Sequence, residues 1–192
     1  MKKLYYLIIL FGTFMNAQNS NDSIVNMVKS QIQINLSKIP EGSEKLYGFD
    51  YRRDFRNCAV GKPIRVLTIN QNNKVEELNQ WRIPIVLSGN NKTLFTVQKI
   101  NNNYEIVDIG GAELAKEIQA VEANSNSIKY LIRLYGLHID FVSDTSVINT
   151  YNELKITPLT SAKDFLNSRN YPSTKTVFRL DELLEINTFK AE

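Results

Sequence analysis

The sequence predicts an α+β protein: an antiparallel β-meander packed against helices, after a cleaved signal peptide. Three observations lead there. Between Arg82 and Ala123, three apolar runs (IPIVL, TLFTVQKI and YEIVDI) are separated by Gly89-Asn90-Asn91 and Asn101-Asn102-Asn103. Such runs, rich in β-branched and aromatic residues, are strands, and Gly and Asn supply the positive φ of tight hairpin turns. Gly110-Gly111 then breaks the extended chain, and AELAKEIQAVEA follows with Leu114, Ile118 and Val121 on one helical face. Finally, Lys2 and Lys3 precede the apolar run Leu4 to Met15, a basic start and a core too short to span a bilayer.

The elements follow in order. Residues 1–17 are expected to be a signal peptide, with Asn16-Ala17-Gln18 offering cleavage after Ala17. An uncleaved membrane anchor is the alternative, and no Cys follows the run to make it a lipoprotein signal. Without these residues the chain keeps 175 of its 192, and losing two lysines lowers its formal charge from +3 to +1. That length can bury the core of one domain. The expected division is a core domain over 18–144 and an irregular C-terminal extension over 145–192, packed on the same domain. Asn, Lys and Ile are abundant, a bias that resembles low-GC bacterial proteins.

Asp22 or Ser23 can cap a helix to about Lys38 with an apolar stripe of Ile24, Val25, Val28, Ile32 and Leu36. The alternation in IQINLSKI suggests an earlier end. Glu44 to Cys58 reads as a loop with one helical turn at Tyr51 to Phe55. IRVLTI is a strand, NQNNK a turn, and Val75 to Gln80 a short helix or an irregular strand. In the meander, Phe95 and Val97 share one face, with Leu94 and Thr96 on the other. Pro84 cannot donate to a ladder, which predicts an edge strand or a bulge. Ile128 to Ser143 gives one or two strands with Gly136 as a bulge or bend, a helix over 128–135 being the alternative. Beyond residue 144, LKITPL reads as a short strand, with short helices at SAKDFL and around Asp181 to Leu184.

The order helix, antiparallel meander, helix, strand over about residues 22–143 resembles cystatin-like and NTF2-like folds, where a curved sheet wraps a helix. The Q-x-V-x-G inhibitory loop of cystatins is absent. The resemblance therefore implies a fold and carries over no site residues.

Composition narrows the chemistry. One Cys and one His exclude a disulfide framework and leave no spaced ligand set for zinc. No metal and no cofactor is expected. Walker A, dinucleotide, EF-hand and GxSxG patterns are missing. Gly110-Gly111 before a helix could present backbone N–H groups to an anion, although a turn is the commoner use of such a pair. A near-neutral mature chain gives no reason to expect nucleic acid. The sequons at Asn21, Asn35 and Asn91 read as chance matches in an Asn-rich chain.

The sharpest catalytic pattern is Cys58 with His138, oriented by Asp140 or Asp144. Against it stand a buried apolar Cys and a structural or surface His. Asp140, Asp144, Glu153 and Asp164 read as solvated acids before they read as an acid/base pair. The strongest binding signal is aromatic residues among arginines: Tyr47, Phe49, Tyr51, Arg52, Arg53 and Arg56, which Trp81-Arg82 could extend. The bland alternative is that the aromatics fill the core while Asp50 and Asp54 pair with the arginines.

Two functional expectations follow. The first is an exported, periplasmic or secreted, non-catalytic binding module of a bacterial envelope or secretome. Its partner would be a protein or small ligand, with no membrane span once the signal is gone. The second is a small-ligand carrier, or a thiol enzyme, with a site in the concavity of the sheet.

Overall fold

The first helix, α1, runs from Lys2 to Ser37 in a computed structural model of the chain. The structure describes residues 2–70, 72–124, 128–144, 155–171 and 177–189, with side chains from residue 20 onward. The boundary expected after Ala17 falls inside α1. Ile24, Val28, Ile32 and Leu36 repeat at i+4 and are buried, while Val25 stays half-buried. The local alternation after Gln31 does not end the helix, because that stripe continues without a break to Leu36, and Ile39 just beyond it is buried too.

Two 3₁₀ helices, Glu44–Tyr47 and Arg52–Asn57, replace the loop with one turn that the sequence suggested. The second begins where Tyr51 N–H donates to Asp54 Oδ2 (2.9 Å). Strands β1 (Ala59–Val60), β2 (Ile64–Ile69), β3 (Val75–Leu87), β4 (Asn90–Ile100) and β5 (Asn103–Gly110) follow, then helix α2 (Ala112–Glu122). Strands β6 (Tyr130–Leu134) and β7 (Ile139–Ser143), strand β8 (Ile156–Pro158), and helices α3 (Thr160–Ser168) and α4 (Leu180–Ile186) complete the order.

The eight strands form one sheet ordered β5-β4-β3-β2-β6-β7-β8, with β1 pairing β3. It is antiparallel except for β2 with β6, which run parallel from Arg65↔Tyr130 to Leu67↔Ile132. That pair joins the meander to the β6–β7 hairpin. The stretch expected as irregular supplies β8, α3 and α4, so it builds part of the sheet and its cover.

Local expectations meet the structure in detail. The Asn101-Asn102 turn has φ of 50° and 67°. The first hairpin turns one residue earlier than expected, at Ser88-Gly89 (φ 51° and 79°), leaving Asn90 and Asn91 in β4. Two positive-φ residues match the twist of a two-residue hairpin. Asn91 then holds α2, its N–H donating to Gln119 Oε1 at 2.7 Å. Val75 to Gln80 belongs to β3, with two extra residues opposite Val66.

Pro84 lies in an interior strand, not at an edge, although a register shift follows at Ile85/Val86. Its carbonyl accepts from Gly61 N–H at 2.8 Å. The N and C=O of one strand residue point the same way, so its missing donor faces the Gly61 to Pro63 link between β1 and β2, not the β4 ladder. A Cβ at Gly61 would stand 3.0 Å from Pro84 Cβ and O, so a larger residue would press the two segments apart by a few tenths of an ångström.

Alternation and register divide the core between two faces. One carries Trp81, Ile83, Ile85, Phe95 and Val97 under α1. Further along the same face, Leu67, Ile132, Phe141 and Ile156 pack with Ala162 and Leu166 of α3 and Leu183 and Ile186 of α4. The opposite face carries Ile64, Leu94, Leu131 and Val142 under Ala115 and Ile118 of α2, with Leu114 and Val121 at the margin. Phe95/Val97 and Leu94/Thr96 thus divide as their alternation predicted. Among the described residues, no helix is long and apolar enough to cross a membrane.

Candidate functional site

Several aromatic residues expected on a binding surface lie inside. Phe49 is 1 % and Trp81 2 % exposed, both in the cluster under α1. Phe49 packs edge-on to Phe55 (centroids 5.0 Å) and Trp81 to Tyr104 (5.4 Å). Their apolar area is worth more in the core than at a surface, so the expectation is corrected for both. Trp81 and Arg82 point to opposite faces of β3 and cannot extend one surface together.

Arg52 is also accounted for. Its guanidinium donates to the carbonyls of Ser37 and Ile39, each at 2.8 Å, and meets Glu44 at 3.3 Å. A cation there satisfies carbonyls that the end of α1 leaves open. Tyr47 is half-buried and lines a 280 Å³ hollow between the end of α1 and β5, with Asn35 and Lys38. Of the predicted set, Tyr51, Arg53 and Arg56 are exposed, with Arg53 stacked 4.4 Å over the Tyr51 ring.

The thiol pattern is not brought together. Cys58 sits against the cluster under α1, its Sγ donating to the Asp54 carbonyl at 3.4 Å. His138 is exposed in the β6–β7 turn at φ 56°, beside Leu137 of the other cluster. It lies one residue before β7, so the strand geometry expected for His138 and Asp140 does not apply. Asp140 is buried, 3.7 Å from Arg133. Asp164 is exposed on α3, and Glu153 lies outside the described residues.

Burial, helped by the charge of Asp54, pushes the Cys58 thiol up to about 11 from an ordinary 9.0. The thiolate is the reactive form. Alkylation by iodoacetamide at pH 8 should therefore run roughly a hundredfold slower in the folded chain than in urea. A rate in the folded chain above that in urea would show an activated thiol and revive the catalytic pattern. A raised folded value also fixes the sign for stability: the thiol's contribution is whole below pH 9 and drains away as pH climbs towards 11.

The largest cavity among those described, 560 Å³, is a groove between α1, the β1–β2 link and the start of β6. Asp22 and Val25 of α1 form one wall, Lys62 and Pro63 the floor, and Lys129 and Tyr130 the other wall, with Arg65 from β2. Arg65 is ion-paired with Glu77 and stacks 5.2 Å from the Trp81 ring. Lys62 and Lys129 add two further positive charges to an otherwise mixed surface.

A second constellation crosses the sheet on the face that carries α2. Asp108, Thr96 and Arg82 stand opposite one another on β5, β4 and β3, and Arg133 stands opposite Asp140 on β6 and β7. Arg82 donates to Thr96 Oγ1 and lies 3.8 Å from Asp108. Burial lowers the Arg82 guanidinium below its ordinary value, and the charge of Arg133 adds to this. Burial raises the Asp140 carboxyl, against the pull of Arg133 and Arg82. Among the described residues, no group of three His, Cys, Asp or Glu is placed to hold a metal ion.

Neither Lys62, Lys129 nor Arg133 stands out in the sequence. Lys62 and Lys129 come from segments far apart in the sequence, as do Arg82 and Arg133, and a lysine beside a turn looks like any solvated lysine. Fold and sites together define an α+β protein with a mostly antiparallel eight-stranded sheet, helices on both faces and a groove beside α1. Comparison with protein families, curated proteins and solved structures finds no match.

Proposed function

We propose that the chain is an exported, non-catalytic binding module whose ligand surface is the groove beside α1. The observation that carries this reading is the 560 Å³ groove, where Lys62, Arg65 and Lys129 meet apolar walls from Val25, Pro63 and Tyr130. Such a surface suits an occupant with an acidic group on an apolar body. Export is supported by Lys2-Lys3, the apolar run and Ala17. The order of elements, similar to cystatin-like and NTF2-like folds, belongs to the same proposal. The partner would be a protein of the envelope or secretome.

The second reading, a small-ligand carrier, is favoured by the groove's volume, inside the range of about 300–1,000 Å³ usual for small-molecule sites. The native mass of the mature chain, isolated gently from its exported fraction, separates the two. A stoichiometric protein-sized adduct supports the module, and a few hundred extra daltons support the carrier. Either adduct should be lost in K62E/K129E. An adduct that survives that double variant overturns the groove as the ligand surface. A chain that still carries residues 1–17 overturns cleavage, and absence of the chain from the exported fraction overturns export.

A further inference from the structure

We propose that the groove beside α1 is a strand-addition site: an acidic, extended segment of a partner protein pairs with the open edge of β1, with an apolar side chain turned towards Val25. The inference rests on the groove as the ligand surface and names the kind of partner it takes.

β1 and β2 lie along β3 as one interrupted strand. β1 meets β3 from Ala59↔Val86 to Val60↔Ile85, and β2 takes over at Ile64↔Arg82. Only the β2 half is paired on its other side, where β6 joins at Arg65↔Tyr130. Among the described residues, no strand pairs with that side of β1. The space beside it is the groove, which Val60, Gly61 and Lys62 line.

Ladder geometry decides which groups face that space. Gly61 N–H donates to the Pro84 carbonyl at 2.8 Å, which makes this a hydrogen-bonded position. Bonded and non-bonded positions alternate along an antiparallel pair. Val60, one residue back and opposite Ile85, therefore turns both its N–H and its C=O away from β3, towards the groove. Among the described residues, neither group has a backbone partner there. An open strand edge is a template for another strand. Val60 and Ile85 both pack in the cluster under α1. A residue paired opposite Val60 would point its side chain to the same face, where Val25 forms the wall.

Charge favours an acidic segment. Lys62, Arg65, Lys129 and Asp22 line the groove, and Arg65 is ion-paired with Glu77. Glu122, on the α2 side of the link, accepts from the Ile128 N–H and acts on Lys62 from behind. Within the groove itself, Lys62 and Lys129 outnumber Asp22, and like charge would repel a basic segment.

The test is nuclear magnetic resonance of the backbone N–H groups of the folded chain. The probes are acetyl-Glu-X-Glu-X-Glu-amide peptides, with X as Val, Leu or Phe. Each is compared with its fully N-methylated form and its Lys-for-Glu form, and hexanoate is titrated separately. At least one Glu peptide should saturate, shift the Val60 signal and slow its exchange with solvent. The N-methylated form, which cannot donate to the Val60 carbonyl, should bind at least about tenfold more weakly. Val60→Pro removes the donor facing the groove and no bond to β3, so it should keep the fold and weaken the peptide about tenfold. If that variant does not fold, the N-methyl comparison on the wild-type chain decides. Strand addition is overturned if no peptide moves Val60, if the N-methylated form binds as well, or if the Lys form binds best. Hexanoate shifting Lys62 and Lys129 while every peptide leaves Val60 unmoved would overturn strand addition and keep the groove as a ligand surface. Silence from every probe overturns both.

Discussion

Phe141→Ala should lower the folding stability by about 3–5 kcal/mol, as expected for truncating a fully buried aromatic. Phe141 has no exposed surface and lies at the centre of the largest cluster. It stands opposite Ile132 on β6 and Pro158 on β8, and its ring meets Phe178 at 6.2 Å, edge to face. The substitution removes contacts to both sides at once. Urea unfolding measures the effect, followed by the fluorescence of Trp81, the one tryptophan of the chain. The midpoint should fall at an unchanged slope. A loss below about 1 kcal/mol would mean that β8 and α4 do not pack on β7 as described.

Gly48→Ala should cost about 3 kcal/mol, from a positive φ and a backbone overlap combined. Gly48 ends the first 3₁₀ helix at φ 83°, its N–H donating to Lys45 O at 3.1 Å. A Cβ there would overlap the Lys92 carbonyl oxygen and come within 3.3 Å of Ala112 Cβ. A carbonyl held in β4 cannot swing aside as a side-chain end can. Gly89→Ala is the control: its φ is 79°, with nothing within 4 Å of the added carbon. It should lose only about 1–2 kcal/mol. Thermal melts of the two variants side by side isolate the overlap, and equal losses would show that the 3₁₀ helix does not seat on β4 and α2.

Much of the fold was legible because local chemistry dictates it. Asn101-Asn102 takes positive φ at both residues wherever it links two apolar runs. The i+4 stripe from Ile24 to Leu36 makes a helix in any amphipathic setting, and Phe95/Val97 against Leu94/Thr96 follows from the pleat alone. The sequons show the limit of reading residues without their surroundings. Asn35 and Asn91 are 5 % and 8 % exposed, closed to modification by the packing of α1 and α2.

The sites were much less legible. Arginines and aromatics between Tyr47 and Arg56 look like an interface in one dimension. In three, Phe49 turns inward because 81–97 supplies apolar partners, and Arg52 turns towards the end of α1 because open carbonyls await it. Cys58 and His138 could be paired on paper, since no sequence rule measures the distance between clusters.

By itself, then, the sequence determined the class of fold, the meander, its hairpins and its helices, since each rests on contacts within a few residues. It also carried the basic and apolar start on which the proposal of export rests. Tertiary structure alone decided that Pro84 sits inside the sheet, that β2 and β6 run parallel, and that Lys62 and Lys129 share a groove. It alone set Arg82 and Arg133 on one face of the sheet, on either side of β2. Those arrangements depend on which distant strands become neighbours, and the free energy that selects them is shared among many weak contacts rather than written in any one segment.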